Sequence, residues 1–224
     1  YMCSRLCNRV RTMDIACTAS KVGVHSVRVT MTFIRNLICH HTAFVVFVFL
    51  LSNTGVWSAD GARLDDPATW AEPSFWKSLK QSNELKGWEF RNGEISLVRP
   101  GVTGSILSEP VPSDFELSFE WKIAEKVNSG VKYRVRKHGA PYWTSAYKGS
   151  GYWGFEYQIY DKKPNTDAIH ATGAIYDLAS ADSDEVVNPP HEWNQSKIVA
   201  NGSTVEHYLL SLIHISEPTR QKPI

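Results

Sequence analysis

Through the middle of the chain, apolar and polar residues alternate. In Asp114–Ile123 (DFELSFEWKI), Phe115, Leu117, Phe119, Trp121 and Ile123 share one parity; Glu116, Ser118, Glu120 and Lys122 share the other. Gly130–Arg136 sets Val131, Tyr133 and Val135 against Lys132, Arg134 and Arg136. Phe155–Tyr160 sets Phe155, Tyr157 and Ile159 against Glu156, Gln158 and Tyr160. A repeat of two puts successive side chains on opposite faces of an extended chain, so each segment predicts a strand with one buried face. Trp193–Ala200 and Ser203–Leu209 flank Asn201-Gly202, a dipeptide suited to a two-residue hairpin turn. Gly93 and Pro100-Gly101 punctuate shorter strands upstream. One helix is predicted, over Pro67–Leu79, with Asp65 or Asp66 as its cap and Pro67 in its first turn. Many short strands without a strand–helix alternation predict an all-β fold, an antiparallel sandwich or jelly roll.

The pattern changes at both ends. Residues 31–59 read as an export signal peptide. Arg35 supplies the positive region, Ala43–Leu51 (AFVVFVFLL) the apolar run, and small residues follow, with cleavage expected after Ser58 or Ala59. The run is too short to span a bilayer comfortably. A secreted or periplasmic protein without a stable membrane span after signal cleavage is therefore expected. Residues 1–30 precede a complete signal and read as translated upstream sequence. Beyond Leu209, the stretch Leu210–Ile224 (LSLIHISEPTRQKPI) leaves the pattern and reads as an artefactual tail. The expected domain is residues 60–209.

Composition sharpens this picture. Cys3, Cys7, Cys17 and Cys39 all precede the domain. Cys3 and Cys7 have the spacing of half a zinc site, but no second ligand pair follows. The domain is thus expected to be held by its core rather than by disulfides or zinc. The whole chain carries a net charge of +1, whereas residues 60–209 hold 16 Lys and Arg against 21 Asp and Glu. A mildly acidic domain is not a nucleic-acid binder that works through a basic surface.

Gly149–Gly154 (GSGYWG) matches GxGxxG literally, but a dinucleotide site needs a helix after the glycines, and here a strand follows. The chemistry-bearing residues lie on the polar parities instead. Glu120, Arg134, Glu156 and Gln158 sit there, Asn128 lies in a connection, and Asp161 ends a strand. If these strands are neighbours, their polar faces form one surface. Carboxylates, a guanidinium and amides among aromatic rings suit a sugar, whose hydroxyls take polar partners and whose ring faces take aromatic planes. A plain solvated face is the alternative for the same residues.

These blocks carry a resemblance. They are Gly87-Trp88 with Asn92–Ile95, Asp114–Ile123, Asn128–Val131 with Tyr133-Arg134, Gly154–Ile159 with Asp161, Thr172–Tyr176, Glu192–Asn194 before Lys197-Ile198, and Val205–Leu209. In this order they resemble the 3-keto-disaccharide hydrolase domain family from about Trp76 to Leu209. The resemblance implies a concanavalin A-like jelly roll and action on glycosides oxidised at C3. The family pattern continues past the His-aromatic-Leu block with further strands. Here Leu210 begins the foreign-looking tail, so a sandwich lacking its last strands is expected.

A C3 ketone acidifies the C2 proton, and the enolate left by its removal can expel the C1 substituent. Water addition then completes net hydrolysis. Such a site needs a base, a group at the enolate oxygen and an acid at the leaving oxygen. Glu156 is the leading base candidate. Arg134 and Asn128 are expected at the keto or enolate oxygen, Glu120, Gln158 and Asp161 at hydroxyls, and Tyr176 as a further substrate contact. His207 is the candidate acid, with a packed core histidine as the alternative. The sequence fixes no cofactor, and a divalent metal ion is left open with Glu156, Asp161 and His207 as its candidate ligands. Trp193 is expected in the core and Asn194 in a turn. Two other functions fit the same fold: a carbohydrate-binding module without catalysis, and a glycoside hydrolase pairing Glu120 with Glu156.

Overall fold

The alternating segments fold as strands, and the core lies where their apolar parities meet. This computed structural model describes the backbone of residues 12–20, 25–32 and 212–218. It describes in full most of 64–137, together with 152–161, 167–181 and 187–210. The strands are β1 (Thr12–Ser20), β2 (His25–Thr32), β3 (Trp76–Ser78), β4 (Trp88–Arg91), β5 (Glu94–Leu97), β6 (Gly104–Ser108) and β7 (Val111–Pro112). They continue with β8 (Phe115–Ile123), β9 (Asn128–Lys137), β10 (Tyr152–Tyr160), β11 (Asn194–Asn201), β12 (Thr204–Leu209) and β13 (Leu212–Pro218). One sheet runs β10-β9-β1-β6-β3, with β7 also on β1; the other runs β13-β12-β11-β8-β2-β5-β4. Strand pairing is antiparallel throughout both. The protein is an all-β, two-sheet sandwich of jelly-roll type.

β8 alternates buried and half-buried residues along its whole length. Its apolar side meets that of β9 and β10 across the sandwich. The Phe119 ring lies 5.4 Å from Tyr157 and the Phe115 ring 6.1 Å from Tyr133, both edge-on. Three polar atoms inside this layer satisfy one another. Trp121 Nε1 donates to Ser196 Oγ at 2.8 Å, and the Tyr157 hydroxyl lies 2.8 Å from the same oxygen and 3.2 Å from the Tyr208 carbonyl. Burial raises the Tyr157 hydroxyl far above the ordinary phenol range, so it stays neutral inside the core.

Three expectations shift. The helix covers only Pro67–Ala71, capped by Asp66, whose Oδ1 accepts from Ala68 N at 2.9 Å. Pro73 stops it, because proline lacks the N–H and disfavours a helical residue before it; a 3-10 turn over Pro73–Phe75 and then β3 follow. The hairpin turn slips by one residue. Asn201 pairs with Thr204, which leaves Gly202 and Ser203 as the loop, with Gly202 at φ +55°. Trp193 leaves the core and lies half-buried under the Lys122 ammonium, 4.4 Å from its ring. Asn194 does hold a turn, accepting from Asn188 N at 2.8 Å.

Strand pairing also extends to both ends of the chain. β1 and β2 lie within residues 1–32, where the sequence reading places no element, and both occupy interior slots: β1 between β9 and β6, β2 between β8 and β5. Likewise β13 adds a strand beyond Leu209 by pairing with β12. The apolar run Ala43–Leu51 expected as the signal lies outside the described residues. Among the described residues no helix is long and apolar enough to cross a membrane.

Candidate functional site

Register decides which polar residues share a face. β10 pairs with β9 so that Tyr160 opposes Asn128, Gln158 opposes Gly130, and Glu156 opposes Lys132. Directly opposed residues lie on one side of a sheet. Tyr157 and Ile159 face the core, so these three pairs form the outer face of the sheet. The expected grouping of Asn128, Glu156 and Gln158 is therefore present.

Glu156 is tightly seated there. A Cβ built on Gly130 would stand 2.9 Å from Glu156 Cγ and 3.0 Å from Cδ, so the carboxylate arm lies across a position that only glycine leaves open. Lys132 Nζ lies 3.2 Å from Glu156 Oε2, and the Glu156 side chain retains 14% exposure. A carboxylate fixed by packing and a cation, yet open to solvent, can accept a proton from a bound substrate.

A strap closes the edge of β10 beside this row. It begins with a 3-10 turn over Ala168–His170 and runs antiparallel to β10. Gly173 N donates to Gln158 O at 2.9 Å, Gln158 N to Ala174 O at 3.1 Å, and Tyr176 N to Glu156 O at 3.0 Å. Gly173 sits at φ +87°, a conformation that favours glycine. Ile175 bridges Tyr157 and is buried, so alternation sets Tyr176 on the outer face beside Glu156. The Tyr176 ring lies 4.9 Å from the His170 ring, and His170 Nε2 lies 2.6 Å from Asp177 Oδ1. Gln158 is buried beneath the strap. Its Nε2 donates to the His170 carbonyl at 3.3 Å, while its Oε1 has no hydrogen-bond partner among the described residues.

The other expected residues lie elsewhere. Glu120 belongs to β8, on the outer face of the opposite sheet, because Phe119 and Trp121 face the core. Glu120 and Glu156 thus lie on opposite sides of the sandwich and cannot flank one glycosidic bond, which removes the paired-carboxylate hydrolase. Arg134 sits at an irregularity in the β9–β10 register, at φ +52°, and that break takes it out of the simple alternation. Its Nε donates to Ser113 O at 3.1 Å and its Nη2 to Asp114 Oδ1 at 3.3 Å. Asp114 Oδ1 also accepts from Gly202 N at 3.0 Å, so Arg134 braces the β11–β12 hairpin. Burial lowers the Arg134 pKa, and the neighbouring Asp114 opposes that shift. Lys132 is the cation beside Glu156 instead.

His207 lies fully buried in the core. Nε2 is 2.9 Å from the Tyr133 hydroxyl and Nδ1 is 2.9 Å from the Gly173 carbonyl. A carbonyl only accepts, so Nδ1 carries the hydrogen. Burial raises the Tyr133 hydroxyl well beyond its ordinary range, keeping it a neutral donor toward Nε2. His207 is thus the packed core histidine weighed as the alternative to an acid. Asp161 clamps a turn: it accepts from Lys126 N, a residue at φ +60°, while its own N donates to Val127 O at 3.0 Å. With Tyr160, Thr172 and residues 187–190 it lines a cleft of about 160 Å³ at one end of the row.

The candidate metal ligands do not converge. Glu156 faces Lys132, Asp161 holds its turn, and both His207 nitrogens are engaged in the core. Among the described residues no three His, Cys, Asp or Glu side chains gather as a ligand set. Sequence reading missed Lys132, His170 and Asp177. Lys132 shares the parity of Arg134, and the other two flank the Thr172–Tyr176 block, so position along the chain was the available signal.

Comparison with known proteins bears on this site. A profile for a 3-keto-alpha-glucoside-1,2-lyase-like domain matches residues 60–209. A crystal structure from Parabacteroides distasonis, provisionally named a glycosyl hydrolase, is 26% identical with a TM-score of 0.48; the match covers 66% of this chain and 69% of that one. No curated protein matches the chain.

Proposed function

The chain belongs to the 3-keto-alpha-glucoside-1,2-lyase-like domain family, and from that premise we propose that it cleaves glycosides oxidised at C3, with Glu156 as the base at C2. Membership makes it a carbohydrate-active, glycosyl hydrolase-like domain with a carbohydrate substrate. The finer reading is carried by one observation: Glu156 lies over Gly130 on an open sheet face, with the Lys132 ammonium 3.2 Å away.

In this reading the Glu156 carboxylate takes the C2 proton. The C–H electron pair passes into the enolate of the C3 ketone, and Lys132 supplies positive charge where that oxyanion develops. Re-formation of the ketone makes the C1–C2 double bond and breaks the bond from C1 to its oxygen. Water added across that double bond returns the free 3-keto sugar, which is net hydrolysis. Gln158 lies next to the base beneath the strap, Asn128 lies farther along the same face, and Tyr176 offers an aromatic plane to the sugar ring.

The direct test incubates the full chain with a glucoside and with its 3-keto form. Turnover of the keto form alone is expected. Cleavage of the unoxidised glucoside, or binding of either sugar without turnover, would overturn the reading.

Gly130→Ala checks the seat of the base. The new methyl must push the Glu156 arm aside, and a flexible arm can yield. Stability should therefore change by no more than about 1 kcal/mol. A catalytic group displaced by an ångström loses on the order of 10²-fold in rate. Thermal melts beside kcat/KM on a 3-keto-glucoside read both quantities.

A further inference from the structure

Expulsion of an alkoxide or sugar from C1 needs a proton at the departing oxygen. The residue first expected to give it, His207, is enclosed in the core. His170 is placed differently. It stands on the strap, its ring 4.9 Å from Tyr176, whose N–H is bound to the Glu156 carbonyl at 3.0 Å. Its side chain retains 34% exposure. Three contacts fix it: Asp177 on Nε2 at 2.6 Å, Gln158 on its carbonyl at 3.3 Å, and Tyr176 on its ring face. Asp177 holds its grip from φ +61°, in the left-handed region that Asp adopts more readily than most non-glycine residues.

Resting on the function proposed above, we propose that His170 is the acid that protonates the leaving oxygen, with Asp177 as its positioning residue. With Nε2 held by Asp177, Nδ1 is the nitrogen turned to the substrate. The Nδ1 proton goes to the glycosidic oxygen as the bond from C1 breaks and its electron pair moves onto that oxygen. The imidazolium that gave the proton is left as neutral imidazole, its hydrogen kept on Nε2 and donated to the Asp177 carboxylate, and the C2 proton resides on Glu156. Base and acid are then separate groups on neighbouring rows, with Tyr176 between them.

The test compares two 3-keto-glucosides, one leaving as p-nitrophenolate, which departs without protonation, and one leaving as a sugar. In the full chain, His170→Gln should slow the disaccharide about 10²–10⁴-fold, the usual contribution of a positioned acid. The nitrophenyl substrate should change by less than about 5-fold, because that departure draws little on an acid. Asp177→Asn should repeat the same selectivity with a smaller loss, and it carries the comparison if His170→Gln folds poorly. Equal slowing of both substrates, or of neither, would overturn the assignment. The proposed function fails separately: in that case the unaltered chain turns over neither substrate, and the acid role falls with it.

Discussion

Glu156→Gln is expected to lower kcat/KM on a 3-keto-glucoside by about 10²–10⁴-fold while the fold is kept. Gln preserves the shape and length of the side chain, so its packing across Gly130 survives. What disappears is the carboxylate that accepts the C2 proton. The lost ion pair with Lys132 is partly solvated, with side-chain exposures of 28% and 14%, and costs no more than about 1 kcal/mol. The melting temperature should accordingly fall by only a few degrees, at about 2–4 °C per kcal/mol for a domain of this size. The loss should be equal for fast and slow leaving groups, because proton removal precedes departure of either. Wash-in of solvent deuterium at C2 gives an independent reading: the unaltered chain exchanges that hydrogen and the variant does not. A variant that exchanged and cleaved at full rate would remove Glu156 from the base role.

The strands around this site were legible because their alternation is regular. Burial forces apolar residues to one parity, and Phe115–Ile123 shows that in nine letters of sequence. The same rule located Glu156 and Gln158 on an outer face, and the antiparallel register of β9 and β10 then brought Asn128 beside them. Alternation misled where the register breaks. Arg134 shares the parity of Lys132, yet the irregularity between Trp153 and Phe155 opposite it takes it to Ser113 and Asp114. Alternation also says nothing about which sheet a strand joins, and that is why Glu120 was grouped with residues on the far side of the sandwich. The strap from Ala168 to Ala179 carries no periodicity, since it is tied to β10 by backbone bonds and one glycine turn. His170 and Asp177 were invisible for that reason. β1 and β2 expose a further gap. Both fill interior slots, and cleavage of the chain after Ser58 would remove them from both sheets.

His207→Leu is expected to destabilise the protein by about 2–6 kcal/mol, because it strands two buried partners at about 1–3 kcal/mol each. The Tyr133 hydroxyl loses its acceptor at 2.9 Å and the Gly173 carbonyl its donor at 2.9 Å, and neither lies where water can replace them. Leucine is close enough in size to leave little cavity, so the effect reports the hydrogen bonds rather than lost volume. At about 2–4 °C per kcal/mol the melting temperature should fall by roughly 4–24 °C. Gly173 is also the residue through which the strap hangs on Gln158, so protection of the strap amides against hydrogen exchange should fall with it. This pattern separates a core histidine from a catalytic one. Loss of a catalytic acid would leave the melting temperature in place and spare p-nitrophenyl substrates. Loss of the core bridge lowers stability first, and it lowers the rate on both substrates together, because it loosens the strap that carries Tyr176, His170 and Asp177.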